Sequence, residues 1–204
     1  MATLADLRTG LSRDLRDTSN ATFSVSEIDD LINQGIDAVG DLYPREIVQT
    51  IGTVSAGVVS YAASSYTRVY RLDVYTSAGS YRTEIPQGIG GANTGWEFHG
   101  GIIYLPPSYT WTAGDTLRAF GYGRYVQLSA STQTTDLDAS ATWAVRVFGQ
   151  KEAFERLIGD RAKFQQWQSN SNATDVTALG LAQLASSARQ RWRNEQIRLR
   201  RMRK

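Results

Sequence analysis

The chain has 204 residues, 41% apolar and 21% charged, with a formal net charge of +2. That is the composition of an ordinary globular protein, long enough to bury a substantial core. With no cysteine, disulfides, zinc–thiolate sites and thiol nucleophiles are excluded.

The first residues, Met1 to Asp6, lack the basic and apolar regions of a signal peptide. Helix signals follow at once. Thr3 precedes Leu4, Leu7, Leu11 and Leu15, an apolar stripe at helical spacing, and Asp6 stands three residues after Thr3 as a weak capping box. A second start is cleaner: Ser24 and Glu27 have capping-box spacing, with Phe23 and Ile28 as a hydrophobic staple. Ile28, Leu31, Ile32, Val39 and Leu42 form one face, and Pro44 stops the helix. The short polar link from Asp17 to Thr22 predicts a helical hairpin.

The pattern then becomes β-like. Residues 47–67 carry no charge, but Gln49, Gly52, Ser55, Gly57 and Ser60 break the stretch into strands and turns rather than a membrane helix. Residues 68–75 alternate, with Tyr70, Leu72 and Val74 on one face and Arg71 and Asp73 on the other. Ala78-Gly79-Ser80 reads as a turn. Trp96-Glu97-Phe98 and Ile102 to Leu105 flank His99-Gly100-Gly101 as a hairpin ended by Pro106-Pro107, and 117–125 is a further strand. Helix returns at Asp138, with Trp143, Val147, Phe154, Leu157 and Ile158 at helical spacing. Ser169 to Asn172 is a polar break, after which Asp175 caps a last helix through Leu179, Leu184 and Trp192.

These elements predict an α+β fold: a helical bundle built from both chain ends, with an inserted small antiparallel β-sandwich or barrel. The expected divisions are 1–45 (helical hairpin), 46–130 (β-domain), 131–188 (helices completing the bundle) and 189–204 (basic tail). That tail holds eight basic residues and one acid, Glu195, so it carries +7 against −5 for the rest.

Candidate chemistry is sparse. His99, the single histidine, falls in a turn with no oriented partner evident. No His, Asp or Glu cluster has metal-ligand spacing, and no cofactor is implied. Asp29-Asp30 and the Glu152/Glu155 pair, near Lys151 and Arg156, read as solvated helix faces. The glycine-rich run 88–95 lacks the Gly-Lys-Ser/Thr ending of a phosphate loop, and reads as a flexible loop whose Gly90, Gly91 and Asn93 offer contacts. The expectation is a structural protein, not an enzyme.

The order of motifs carries a resemblance. Thr3-Leu4-Ala5-Asp6-Leu7-Arg8, Leu15-Arg16-Asp17-Thr18-Ser19-Asn20, Phe23-Ser24, Glu27 to Gln34 and Leu42-Tyr43-Pro44 open the chain. Ile103-Tyr104-Leu105-Pro106-Pro107, Gly121-Tyr122 and an Arg-rich end follow. This order resembles tailed-bacteriophage head-to-tail connector (adaptor) proteins.

The resemblance implies a virion protein made in the bacterial cytoplasm, with no membrane association. It implies a homo-oligomeric ring, typically dodecameric, below the portal, continuing the DNA channel toward the next neck protein. The C-terminal segment would dock on the portal through Arg189, Arg191, Trp192, Arg193, Arg198, Arg200, Arg201, Arg203 and Lys204. Twelve bare tails would put about +84 in the lumen and hold DNA tightly by counterion release, which favours docking on an acidic protein surface. Such a tail is expected to be removable with the fold intact. The alternatives are a nucleic-acid-binding module using the same arginines, and a carbohydrate-binding β-domain using Trp96, Tyr104, Tyr109 and Trp111.

Overall fold

The structure is a computed structural model and describes residues 2–55, 57–88, 95–106, 112–171 and 173–202. It divides into two compact units, Met1–Tyr43 with Tyr125–Lys204, and Pro44–Arg124. The class is α+β, with helices in the first unit and antiparallel sheets in the second.

In the helical unit, α1 (Leu4–Asp14) and α2 (Val25–Leu42) begin at complete capping boxes. The Thr3 N–H donates to Asp6 at 2.8 Å and the Asp6 N–H to Thr3 Oγ1 at 3.1 Å. Ser24 and Glu27 repeat the exchange at 2.9 and 3.3 Å. Each pair satisfies backbone donors that a helix start leaves without partners. Leu4, Leu7, Leu11 and Leu15 are all buried, as are Ile28, Leu31, Ile32, Ile36 and Val39. Gly35 lets α2 approach its neighbour closely, since a Cβ there would lie 2.9 Å from the Val145 carbonyl oxygen.

The link between α1 and α2 is more than a polar spacer. Asp17 is 1% exposed, and its carboxylate accepts from the N–H groups of Ala21 (3.0 Å), Thr22 (3.1 Å) and Phe23 (2.8 Å). Arg16 and Asn20 flank it in left-handed backbone, φ 55° and 52°.

The rest of this unit is α3 (Ala139–Gly159), capped by Asp138, α4 (Arg161–Asn170), capped by Asp160, and α5 (Ala178–Met202). The break between α3 and α4 was not foreseen, and the expected polar break begins late: Ser169 and Asn170 are still helical. Trp143 and Ile158 depart from the apolar-face expectation, being 44% and 48% exposed. Because α3 packs against α1, α2, α4 and α5, its buried residues lie around much of its circumference. A single stripe does not describe it. Trp143 lies instead under the Arg146 guanidinium, 5.2 Å from the ring centre. At α5 the Thr177 hydroxyl, not Asp175, accepts the Gly180 N–H at 3.2 Å. Leu179 faces solvent, and Leu181 is the first buried residue of the helix. Trp167 ties α4 to the end of α1 by donating its indole N–H to the Leu15 carbonyl at 2.8 Å.

The β unit holds two antiparallel sheets among its described residues. The larger has order β1 (Arg45–Thr53), β7 (Thr116–Gly123), β3 (Tyr66–Tyr75) and β4 (Tyr81–Ile85). The smaller has order β2 (Ser60–Ala62), β6 (Ile102–Tyr104) and β5 (Glu97–His99). The β5–β6 hairpin turns on Gly100 and Gly101, with φ 57° and 77°, the two positive angles a tight primed turn requires. One apolar cluster takes Tyr61 and Ile103 from the smaller sheet and Val69, Leu72, Val74 and Leu117 from the larger.

The β3 expectation fails at two positions. The register shifts between Val69 and Arg71, so Val69 enters the core and Tyr70 turns outward, 38% exposed. Asp73 is fully buried, held by both arms of Arg71 at 2.8 Å.

Replacing Asp17 with alanine leaves three N–H groups of the loop without an acceptor. The expected loss is about 3 kcal/mol, measured by urea denaturation. A loss below about 0.5 kcal/mol would show that water replaces the carboxylate.

Candidate functional site

The residues expected to dock a partner lie on α5, and the fold sorts them into two groups. Leu181, Ala185, Ala188, Trp192 and Leu199 are its buried residues, spaced to form one stripe. Trp192 is 7% exposed, and its ring meets Phe148 edge-on with centroids 5.1 Å apart. It is a core anchor rather than a docking contact. Arg189 donates through Nε to Glu155 at 2.7 Å. Arg198 donates to Glu195 at 2.7 Å and to the Ser140 carbonyl at 2.8 Å. These two arginines clamp α5 to α3.

Arg191, Arg193, Arg200 and Arg201 are exposed and have no hydrogen bond or ion pair with any described residue. At 100° per residue, Arg193 and Arg200 share one flank about 10 Å apart, Arg191 lies on the other flank, and Arg201 points away from the buried stripe. Arg200 and Arg201 sit in the last helical turn, where the dipole favours cations. Exposed Ile197 and Met202 lie among them. Arg191 also borders a cavity of about 420 Å³ lined by Leu15, Arg16, Phe154, Trp167 and Leu184. Arg203 and Lys204, and the loop residues Gly90, Gly91 and Asn93, lie outside the described residues.

The basic segment is therefore not a separate tail. α5 runs unbroken across position 189, and Trp192 and Leu199 belong to the core of the helical unit. Deleting 189–204 would remove both, so the expectation that the fold survives this deletion is withdrawn.

Burial pushes the Glu155 carboxyl up, but the Arg189 hydrogen bond and the charges of Lys151 and Arg189 outweigh it and hold it below its ordinary value. Glu27 follows the same logic beside Lys163 and Ser24.

Other candidates resolve differently. His99 is exposed and bonds Glu97 at 3.1 Å. Among the described residues no group of His, Asp or Glu is placed to hold a metal ion, and no helix is long and apolar enough to cross a membrane. Trp96 is 1% exposed and donates its indole N–H to the Ile85 carbonyl at 3.0 Å, so it offers no sugar platform. Tyr104 is exposed, while Tyr109 and Trp111 lie outside the described residues.

Sequence reasoning missed a second surface. On the larger sheet, Arg118, Phe120 and Tyr122 alternate with buried Leu117, Ala119 and Gly121. The Tyr70 and Tyr122 rings lie 5.4 Å apart, Arg71 covers Phe120 at 5.0 Å and Arg118 covers Tyr75 at 4.2 Å. Tyr70 also donates to Glu46 at 2.6 Å, which, with burial, pushes its hydroxyl up to about 12. The period-2 pattern of 116–123 was the available signal.

A scan against protein-family models finds no match to this chain, and a search of curated proteins returns no significant match.

Two outcomes are expected. Trp192→Ala opens the core under α5 and costs about 3–5 kcal/mol, whereas Leu179→Ala, at a position 70% exposed, stays within about 0.5 kcal/mol. Equal urea midpoints for the two variants would refute the anchor role. Glu155 has a depressed folded value, so its contribution is complete above the ordinary carboxylate range and lost as pH falls through the folded value. Glu155→Gln is thus less stable than the parent at pH 7, and the gap narrows as pH falls below the ordinary carboxylate range. A gap of constant size throughout acid titration to the unfolding pH would exclude this linkage.

Proposed function

We propose that the protein is a structural assembly subunit, a head-to-tail adaptor of the tailed-phage kind, performing no catalysis of its own. Its copies form a ring, dodecameric by resemblance, that seats against a portal and carries the DNA channel toward the neck. The supporting observation is the division of labour on α5. Arg189, Trp192 and Arg198 fix the helix to the core, while Arg191, Arg193, Arg200 and Arg201 project from it exposed. Cations on a rigid helix lose less conformational freedom on binding than cations on a loose tail. Repetition around a ring multiplies weak contacts through effective concentration. The preferred surface for such a helix end is acidic protein, the portal in this reading.

One observation favours a second reading. The four arginines carry no carboxylate partner among the described residues, an uncompensated charge that a polyanion would neutralise. A nucleic-acid module with four phosphate contacts loses duplex affinity with a log–log salt slope of about −3.6.

The test is the double variant Arg193→Glu/Arg200→Glu. Both residues are exposed, so unfolding midpoints are expected to match the parent. Attachment to purified portal, read by electron microscopy of the mixed rings, is expected to be lost. Parent-level attachment would overturn the docking role. Retention of duplex DNA on filters by the parent, with the steep salt slope, would favour the second reading.

A further inference from the structure

We propose that the cleft between α1 and the α1–α2 loop is a binding site for an oxyanion, a phosphate or a carboxylate group. The cleft encloses about 390 Å³ and is lined by Arg8, Thr9, Ser12 and Arg13 from one strip of α1 and by Thr18 and Asn20 from the loop. None of its lining residues is acidic. This sets it apart from the cavity beside Arg191, where Asp14 and Asp175 line the wall with the arginines.

Its donors are fixed in advance. Arg8 is held by Asp29 through Nε at 2.5 Å and Nη2 at 2.6 Å. That pairing leaves Nη1 unengaged and the guanidinium plane immobilised. Ser12 is 5% exposed, and its hydroxyl donates to Asn20 Oδ1 at 2.9 Å. The Asn20 amide is thereby oriented with its Nδ2 donors unclaimed by any described residue. The loop beneath is rigid: the Asn20 N–H donates to the Asp17 carbonyl at 3.0 Å, and the Asp17 carboxylate is locked as described above. Arg13, exposed and without an ion pair among the described residues, supplies a full charge at the rim. The Thr9 and Ser12 hydroxyls spend their hydrogens on the Ala5 carbonyl and Asn20, and Asp29 offsets the charge of Arg8. The donors left for a group of two or three anionic oxygens are the Arg13 guanidinium, Arg8 Nη1, the Asn20 amide and the Thr18 hydroxyl. A guanidinium has no acceptor, so a cation is not an alternative occupant.

Titrating the isotope-labelled full chain with inorganic phosphate, and separately with acetate, at constant ionic strength tests the assignment by amide chemical shifts. Saturable shifts confined to residues 5–25 are expected, with a dissociation constant of about 1 mM. Arg13→Gln is expected to weaken binding about tenfold, while Arg161→Gln, an exposed arginine outside the cleft, leaves it unchanged. Saturation by phosphate alone supports the site with a phosphoryl group as its natural source. Equal saturation by acetate supports it with a side-chain carboxylate of a partner. Shifts that stay linear in concentration, or that fall equally with Arg161→Gln, overturn the proposal. None of these outcomes depends on portal attachment.

Discussion

The apolar core of the helical unit is built from residues at both ends of the chain. Leu4, Leu7, Leu11 and Leu15 enter it from the first helix, and Leu181, Trp192 and Leu199 from the last. The first helix buries its leucines against α2 and α3, and the last buries its stripe chiefly against α3, so the two ends are joined through α3. The remaining features of the unit serve this closure. α3 runs through the middle with small residues, Ala141, Ala144 and Ala153, buried along it. α4 is pinned by the Trp167 indole to the end of α1, and the Asp14–Arg146 pair at 2.6 Å fixes α3 against the first helix. Since Trp192 and Leu199 both lie in this core, the arginines between and beyond them inherit its rigidity.

Local chemistry was legible in the sequence, and non-local geometry was not. The two capping boxes depend on residues three apart, so Thr3/Asp6 and Ser24/Glu27 declared the helix starts unaided. Gly100-Gly101 declared its hairpin for the same reason. Tyr70 was assigned to the wrong face because the irregularity that turns it outward arises from pairing with β7, some fifty residues away. Trp143 and Ile158 have helical spacing, yet burial along α3 depends on which neighbours cover each turn. For the candidate site, the sequence supplied the charge but not its partition. Arg189 and Arg198 look like Arg193 and Arg200 until Glu155 and Ser140 are placed beside them. Asp17 was passed over as one polar residue in a polar link, though it organises the turn on which Asn20 and Arg16 stand.

The larger sheet and α5 present contrasting surfaces. On the sheet, the guanidiniums of Arg71 and Arg118 lie over aromatic rings, and Arg71 is neutralised by Asp73 and Glu84. On α5, four guanidiniums project without a carboxylate partner among the described residues. Burial of the sheet face would carry the desolvation cost of its guanidiniums and carboxylates, offset in part by their mutual pairing. An uncompensated cationic helix suits contacts formed through longer-range attraction and sensitive to salt.

The placement of Leu199 in the core also sets the order of events during synthesis. Residues 44–124 are contiguous, and their apolar cluster is complete once they have left the ribosome. The first helix finds its partners α2 and α3 before the last helix is made, whereas the side of α3 that faces α5 stays uncovered until residues 181–199 follow. A chain interrupted before Trp192 leaves uncovered the side of α3 on which α5 packs, Phe148 included, and exposed apolar surface of that kind favours aggregation. Closure of the helical core therefore comes after synthesis of α5, later than that of the contiguous β unit.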